Sequence, residues 1–209
     1  MSDIATQYPR GFLRAYVRGK LASDPVYAAV YERLRESKQP VLDVGCGIGL
    51  LELYLRSRGF EQPMAGIDHD ARKIRIAQEF ASDGRTSFSV GDARAFAASG
   101  TVVLLDVLHY FTDADQQAIL GNAQTAGMIL IRDAVRDGSL RYRATYAQET
   151  LARIGGWLKA ERLNFPTRQS IEQSFNGAFS TEVVPMFGRS PFNNYLFVFR
   201  RSSAGITKV

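Results

Sequence analysis

The sequence predicts a doubly wound α/β sheet, and three observations carry that prediction. Short apolar runs alternate with amphipathic helical stretches between residues 41 and 133, which implies mostly parallel strands with helices on both faces. The first run leads directly into a glycine-rich turn, Gly45-Cys-Gly-Ile-Gly49, of the kind that binds ligands at the carboxyl edge of such sheets. Close to the other end, Tyr195-Leu-Phe-Val-Phe199 is apolar on both alternating faces, as a strand covered on both sides must be.

In chain order, residues 1–22 are a basic, aromatic-bearing leader to which the pattern assigns no definite structure. Asp24 has the chemistry of an N-cap and Pro25 that of a first helical residue. Val26, Val30 and Leu34, with Tyr27 and Tyr31, give the following segment an apolar helical face, and Gln39-Pro40 stops it. Strands are expected at 41–44, 63–68, 87–90, 101–106 and 128–131. Helices are expected at 50–58, after Asp70, and from Asp113, which has capping-box spacing to Gln116.

A long helix is expected at 140–154, with Leu140, Ala144, Ala147, Leu151 and Ile154 as its apolar stripe. A shorter helix follows at 167–175, and two strands at 182–187 and 194–200 bring the total to seven. Pro185 assigns the former to an edge, because proline donates no ladder hydrogen bond.

The 209 residues are 45% hydrophobic and 22% charged, enough for one domain with a sizeable core. One domain over 1–209 is expected: a leader and cap at 1–39, a cofactor-binding half at 40–133, a cap helix and final strands at 134–201, and a polar tail at 202–209. No apolar run approaches the roughly 20 residues that span a bilayer, and the N-terminus lacks the apolar centre of a signal peptide. The single cysteine, Cys46, excludes an internal disulfide, so a cytoplasmic location is expected. The net charge of +5 is scattered, which gives no reason to expect a nucleic-acid partner. Two histidines and one cysteine offer no metal-ligand cluster, and no metal is expected. Monomer and homodimer both remain open.

The chemistry concentrates at strand ends. Val41-Leu-Asp-Val-Gly-Cys-Gly-Ile-Gly49 has G-x-G-x-G spacing, unlike the G-x-G-x-x-G of dinucleotide sites or the G-K-[ST] ending of phosphate loops. Asp43, two residues ahead of the first glycine, would repel a pyrophosphate and suit a cation.

This segment resembles the first motif of the class I S-adenosylmethionine-dependent methyltransferases. That resemblance implies the sheet order 3-2-1-4-5-7-6, with a helical cap from the N-terminus and from the segment after the fifth strand. It implies that S-adenosylmethionine is the cofactor and S-adenosylhomocysteine the product. Asp43, Gly45, Cys46, Gly47 and Gly49 would then form the turn around the methionine end. Asp68, with His69 beside it, would hold the ribose hydroxyls, since a carboxylate accepts from both. Asp92 and Ala93, in Gly91-Asp-Ala93, would meet the adenine, and a helix N-cap is the other reading of Asp92. Asp106 opens the segment Asp106-Val-Leu-His-Tyr-Phe111, which is similar to the fourth motif of small-molecule enzymes.

The expected reaction moves a methyl group to an oxygen, in preference to nitrogen or carbon, of a small-molecule acceptor such as an aromatic or acyl acid. His109 is the candidate base or a wall residue. Tyr16, Tyr110, Arg132, Tyr142 and Tyr146 are the candidate acceptor contacts, with Glu149 and Arg153 on the same helix stripe as the last two. An RNA methyltransferase and a non-catalytic cofactor-binding protein of the same fold are the alternatives.

Overall fold

The structure, a computed structural model, describes residues 4–81, 83–154, 163–188 and 191–202, without the side chains of 152–154. Trp157 of the expected cap, the side chain of Arg153, and all but the first residue of the expected tail lie outside the described residues. A short 3-10 turn, Ile4–Gln7, precedes helices α1 (Phe12–Ser23) and α2 (Val26–Leu34). The leader is therefore helical over half its length. Asp24 accepts from the Val26 amide at 3.1 Å, and Pro25 is the residue just ahead of α2, so the helix begins one step later than expected.

Strand and helix then alternate: β1 (Val41–Val44), α3 (Leu50–Ser57), β2 (Met64–Asp68), α4 (Ala71–Gln78), β3 (Thr86–Val90), β4 (Thr101–Leu105), α5 (Asp113–Ala123) and β5 (Met128–Ala134). They are followed by α6 (Leu140–Ile154), α7 (Arg168–Gln173), β6 (Phe179–Pro185) and β7 (Asn194–Arg201). One seven-stranded sheet has the order β3-β2-β1-β4-β5-β7-β6. Strands β1 to β5 pair in parallel, while β7 runs antiparallel between β5 and β6. Pro185 is on the edge strand, where its missing donor costs nothing.

Alternation along the central strands builds a core on each face. Val103, Leu130, Leu196 and Val198 pack with α2 and α3 on one side. Val102, Leu104, Ile129, Ile131, Phe197 and Phe199 pack with α5 and α7 on the other. Each such side chain contributes about 1.5–3 kcal/mol when fully buried, so the strand ends stand on a rigid platform.

Two local expectations change. Helix α5 is capped by Thr112, whose hydroxyl accepts from the Asp115 amide at 3.2 Å. The Asp113–Gln116 spacing is not a capping box, because Gln116 turns inward and is buried. In α6 two residues of the expected apolar stripe face out, Leu140 at 81% and Leu151 at 69% exposure, whereas Thr145 is buried; the side chain of Ile154 lies outside the described residues. Thr145 is held inward by its hydrogen bonds to the Arg141 carbonyl and Asn193, and periodicity alone does not say which face turns in.

Candidate cofactor and acceptor site

The carboxyl ends of β1 to β4 surround a cavity of about 1080 Å³, large for a single small ligand. Its floor is the glycine turn. Gly45, Gly47 and Gly49 all have positive φ (84°, 58° and 74°), a region that penalises any Cβ. The Gly45 and Cys46 amides donate to the Ile67 carbonyl at 2.7 and 3.0 Å, tying the turn to β2. A Cβ on Gly45 would lie 2.5 Å from Val107 Cγ2, while one on Gly47 would meet nothing within 4 Å.

Asp68, at the end of β2, is buried and works twice. Its Oδ2 accepts from the Gly47 amide at 3.0 Å and its Oδ1 from the Asp70 amide at 2.8 Å. It braces the turn and still lines the cavity. His69 is exposed, with Nδ1 at 3.4 Å from Asp68 Oδ1. Asp70 caps α4 through the Arg72 amide.

At the end of β3, Asp92 accepts from the Arg94 amide and from its guanidinium at 2.6–3.1 Å. Those Arg94 bonds hold its carboxyl down at about 2. The chain turns there without forming a helix, so the helix-cap alternative for Asp92 does not hold. Ala93 lines the cavity beside it.

Asp106, just past β4, has φ 60°, uncommon for a residue other than glycine. Its carboxylate is ion-paired with Arg132 and lies 3.3 Å from Lys20 Nζ. Burial works against its charge, but the two cations outweigh that and keep it ionised well below the usual carboxylate range.

The next residues continue the cavity wall. The 108–111 turn is pinned from outside: Gln116 Nε2 donates to the Leu108 and Phe111 carbonyls at 3.0 and 3.2 Å, and the Asn164 amide donates to the His109 carbonyl at 2.8 Å. Tyr110, Phe111 and Asn164 line the cavity, as do Tyr16 and Tyr27. His109 is buried behind them. Its Nδ1 is 2.7 Å from Asp133 Oδ1 on β5, and its Nε2 has no partner among the described residues. Burial lowers its pKa, yet the Asp133 carboxylate overrides this and the net shift is upward. The ring stacks on Phe165 (4.9 Å, 12°) and contacts Tyr110 (4.0 Å between centroids). Tyr142 and Tyr146 of α6 pack around the same Phe165.

Of the sequence candidates, Asp43, Gly45, Cys46, Gly47, Asp68, His69, Asp92, Ala93, Asp106, Tyr16 and Tyr110 line the cavity. Gly49 does not. It lets α3 pack on α4 and β3, since a Cβ there would lie 2.8 Å from Phe88 Cζ. Arg132 is buried in ion pairs with Asp24 and Asp106 and does not line the cavity. His109, Tyr142 and Tyr146 form a layer behind the wall. Sequence reading missed Asp133, Gln116, Asn164 and Glu52. The first three act through partners set by strand register and loop packing, and Glu52 looks like an ordinary acid in a helix's first turn.

The residues fit a cationic, nucleoside-sized cofactor. Aspartates from four strand ends face the cavity against Lys73 and Arg94, and buried Asp43 Oδ1 has no donor among the described residues. That charge balance suits a sulfonium and an ammonium and opposes a pyrophosphate.

Residues 41–126 match the family model described as a methyltransferase domain. No curated protein matches the chain in sequence. Similar solved structures include the magnesium protoporphyrin IX methyltransferase of Synechocystis PCC 6803 with bound S-adenosylhomocysteine. It is 19% identical over 95% of this chain and 91% of that one, with a TM-score of 0.68. A putative methyltransferase in complex with the Trm112 activator of Haloferax volcanii is 15% identical over 90% and 93%, with a TM-score of 0.66. An O-methyltransferase family 2 protein of Planctomyces limnophilus, in complex with apigenin, is 18% identical over 81% and 52%, with a TM-score of 0.61. Residues 41–126 thus form a methyltransferase domain, and the seven strands take the order of the class I S-adenosylmethionine-dependent methyltransferase fold.

Proposed function

We propose that the protein transfers a methyl group to the oxygen of a small, planar acceptor carrying an aromatic hydroxyl, with His109 as general base. The observation that carries this reading is the buried His109–Asp133 pair, engaged at Nδ1 and unpartnered at Nε2. S-adenosylmethionine, when bound, supplies a methyl group already activated on sulfur. The protein's part is to hold the oxygen in line, exclude water and take the proton. Asp133 holds the Nδ1 proton, which leaves Nε2 basic and aimed away from Asp133.

Because His109 stands behind Tyr110, the acceptor approaches Nε2 from the α6 side, among the rings of Phe165, Tyr142 and Tyr146. Rings favour a flat partner. An acid acceptor would need a cation, and two arginines of the two cap segments are occupied elsewhere. Arg14 donates to the Thr6 and Tyr8 carbonyls, and Arg132 pairs with Asp24 and Asp106. Two similar structures, one a magnesium protoporphyrin IX methyltransferase and one an O-methyltransferase with apigenin, have small-molecule partners, which supports the same class here.

The test is transfer of labelled methyl from S-adenosylmethionine to matched pairs of phenols and aromatic carboxylic acids, with bulk RNA alongside. Label in phenolic ethers supports the proposal. Label confined to esters or to RNA overturns it.

A further inference from the structure

Beneath the glycine turn lie two acids that the methyl-transfer chemistry does not use as a pair. Asp43 on β1 is 3% exposed and Glu52 on α3 is 2% exposed. Both Glu52 oxygens and Asp43 Oδ1 find no donor among the described residues. Gly66 makes room for this arrangement: a Cβ there would lie 2.8 Å from Glu52 Oε1 and 2.8 Å from Cys46 Sγ.

The groups facing the pair do not neutralise it. Asp68 approaches from β2, Cys46 from the turn and Tyr8 from the N-terminal segment, and each has its own reason to avoid further negative charge. Arg56, one turn along α3, is committed to Asp83 at 2.6 Å, to the Thr86 hydroxyl, and to the carbonyls of Phe60, Gln62 and Arg85. Two ionised carboxylates in so buried a place repel each other and lose their hydration, whereas one proton between them satisfies both.

We infer that Asp43 and Glu52 share a proton beneath the turn and release it when a cationic cofactor binds on the Asp43 side, so that Glu52 sets the preference for the sulfonium cofactor over its neutral thioether product. Asp43 faces the cavity and Glu52 does not, so Glu52 acts through Asp43 as a positioning residue. Burial, and then the neighbouring carboxylates, raise Asp43 to about 7 and Glu52 well above its ordinary value. The proton on the Asp43 side of the pair is therefore the one exchanged near neutral pH. The step breaks one carboxyl O–H bond and no other: the proton passes to solvent, the electron pair stays on the carboxylate, and the extra positive charge on sulfur compensates it.

Titration calorimetry at pH 7 in buffers of differing ionisation enthalpy tests this on the intact protein. S-adenosylmethionine should release a measurable fraction of a proton, and S-adenosylhomocysteine distinctly less. Between pH 6 and 8 the affinity ratio of the two should rise by about tenfold, the scale of one added charge at short range in a partly screened site. In Glu52→Gln, whose amide donates to Asp43 and holds no exchangeable acid proton, the release should vanish and the ratio should flatten. Any slope from His109 would survive in that variant, which separates the two groups. Difference infrared spectra of the wild type should show a protonated-carboxyl band lost on adding S-adenosylmethionine. Absence of proton release and of that band in the wild type would overturn the inference, as would an unchanged release in a folded Glu52→Gln.

Discussion

Arg132, at the carboxyl end of β5, is ion-paired with Asp24, the residue that links α1 to α2. Its other nitrogen reaches Asp106 past β4, and Lys20 lies 3.1 Å from Asp24 and 3.3 Å from Asp106. Two cations and two carboxylates thus tie the N-terminal helices to the strand ends that form the cavity. Tyr16, on the same α1, lines that cavity.

Removing Arg132 should therefore loosen the cap as well as cost stability. Breaking a buried pair from one side costs about 3–5 kcal/mol. Lys20 still compensates both carboxylates, so Arg132→Met should fall at the lower end, about 3 kcal/mol, in denaturant unfolding. A loss under 1 kcal/mol would mean the network is not holding the helices.

Two glycines of the turn should separate folding from binding. Gly45→Ala forces a Cβ to 2.5 Å from Val107 Cγ2 at a φ of 84°. Overpacking of this kind costs about 1–3 kcal/mol, so its melting temperature should fall. Gly47→Ala meets open cavity, so its stability should change less while its S-adenosylmethionine affinity falls. Equal effects of both substitutions on melting and on titration would contradict this division.

The acid pair gives the ligand-free protein an unusual pH response. Folding raises both carboxyls above their unfolded values, so their contribution is complete at low pH and is lost as pH rises through their folded values. Unfolding free energy of the wild type should therefore decline from about pH 6 to pH 8, and Glu52→Gln should remove much of that decline. A wild type equally stable across this range would count against the raised values.

The sequence made the cofactor half legible because its signals are local. A strand, three glycines and an acid two residues earlier fix both geometry and charge within nine residues, Val41 to Gly49. Pro185 and the doubly apolar β7 likewise announced their places in the sheet. The acceptor half was less legible because its partners meet through tertiary structure. Asp133 reaches His109 from 24 residues away, across the β4–β5 register. The ring layer of Phe165, Tyr142 and Tyr146 depends on which face α6 turns inward, and the exposed Leu140 and Leu151 pointed the wrong way. Arg132 read as an acceptor contact because it opens the segment after the fifth expected strand, yet Asp24 and Asp106 bury its charge.

The dependence of methyl-transfer rate on pH, measured for the wild type and Asp133→Asn with one phenolic acceptor, tests the dyad most directly. His109 is raised above its ordinary value by Asp133 against the pull of burial, so the wild-type rate should rise with pH through an apparent pKa above the usual imidazole range. Asparagine removes the charge and leaves burial, so the limb should move to lower pH. The plateau should also fall, within the roughly 10²–10⁴-fold that general-base help provides, and His109→Ala should lose the limb altogether with cofactor affinity nearly unchanged. Superimposable profiles for the wild type and both variants would contradict the account.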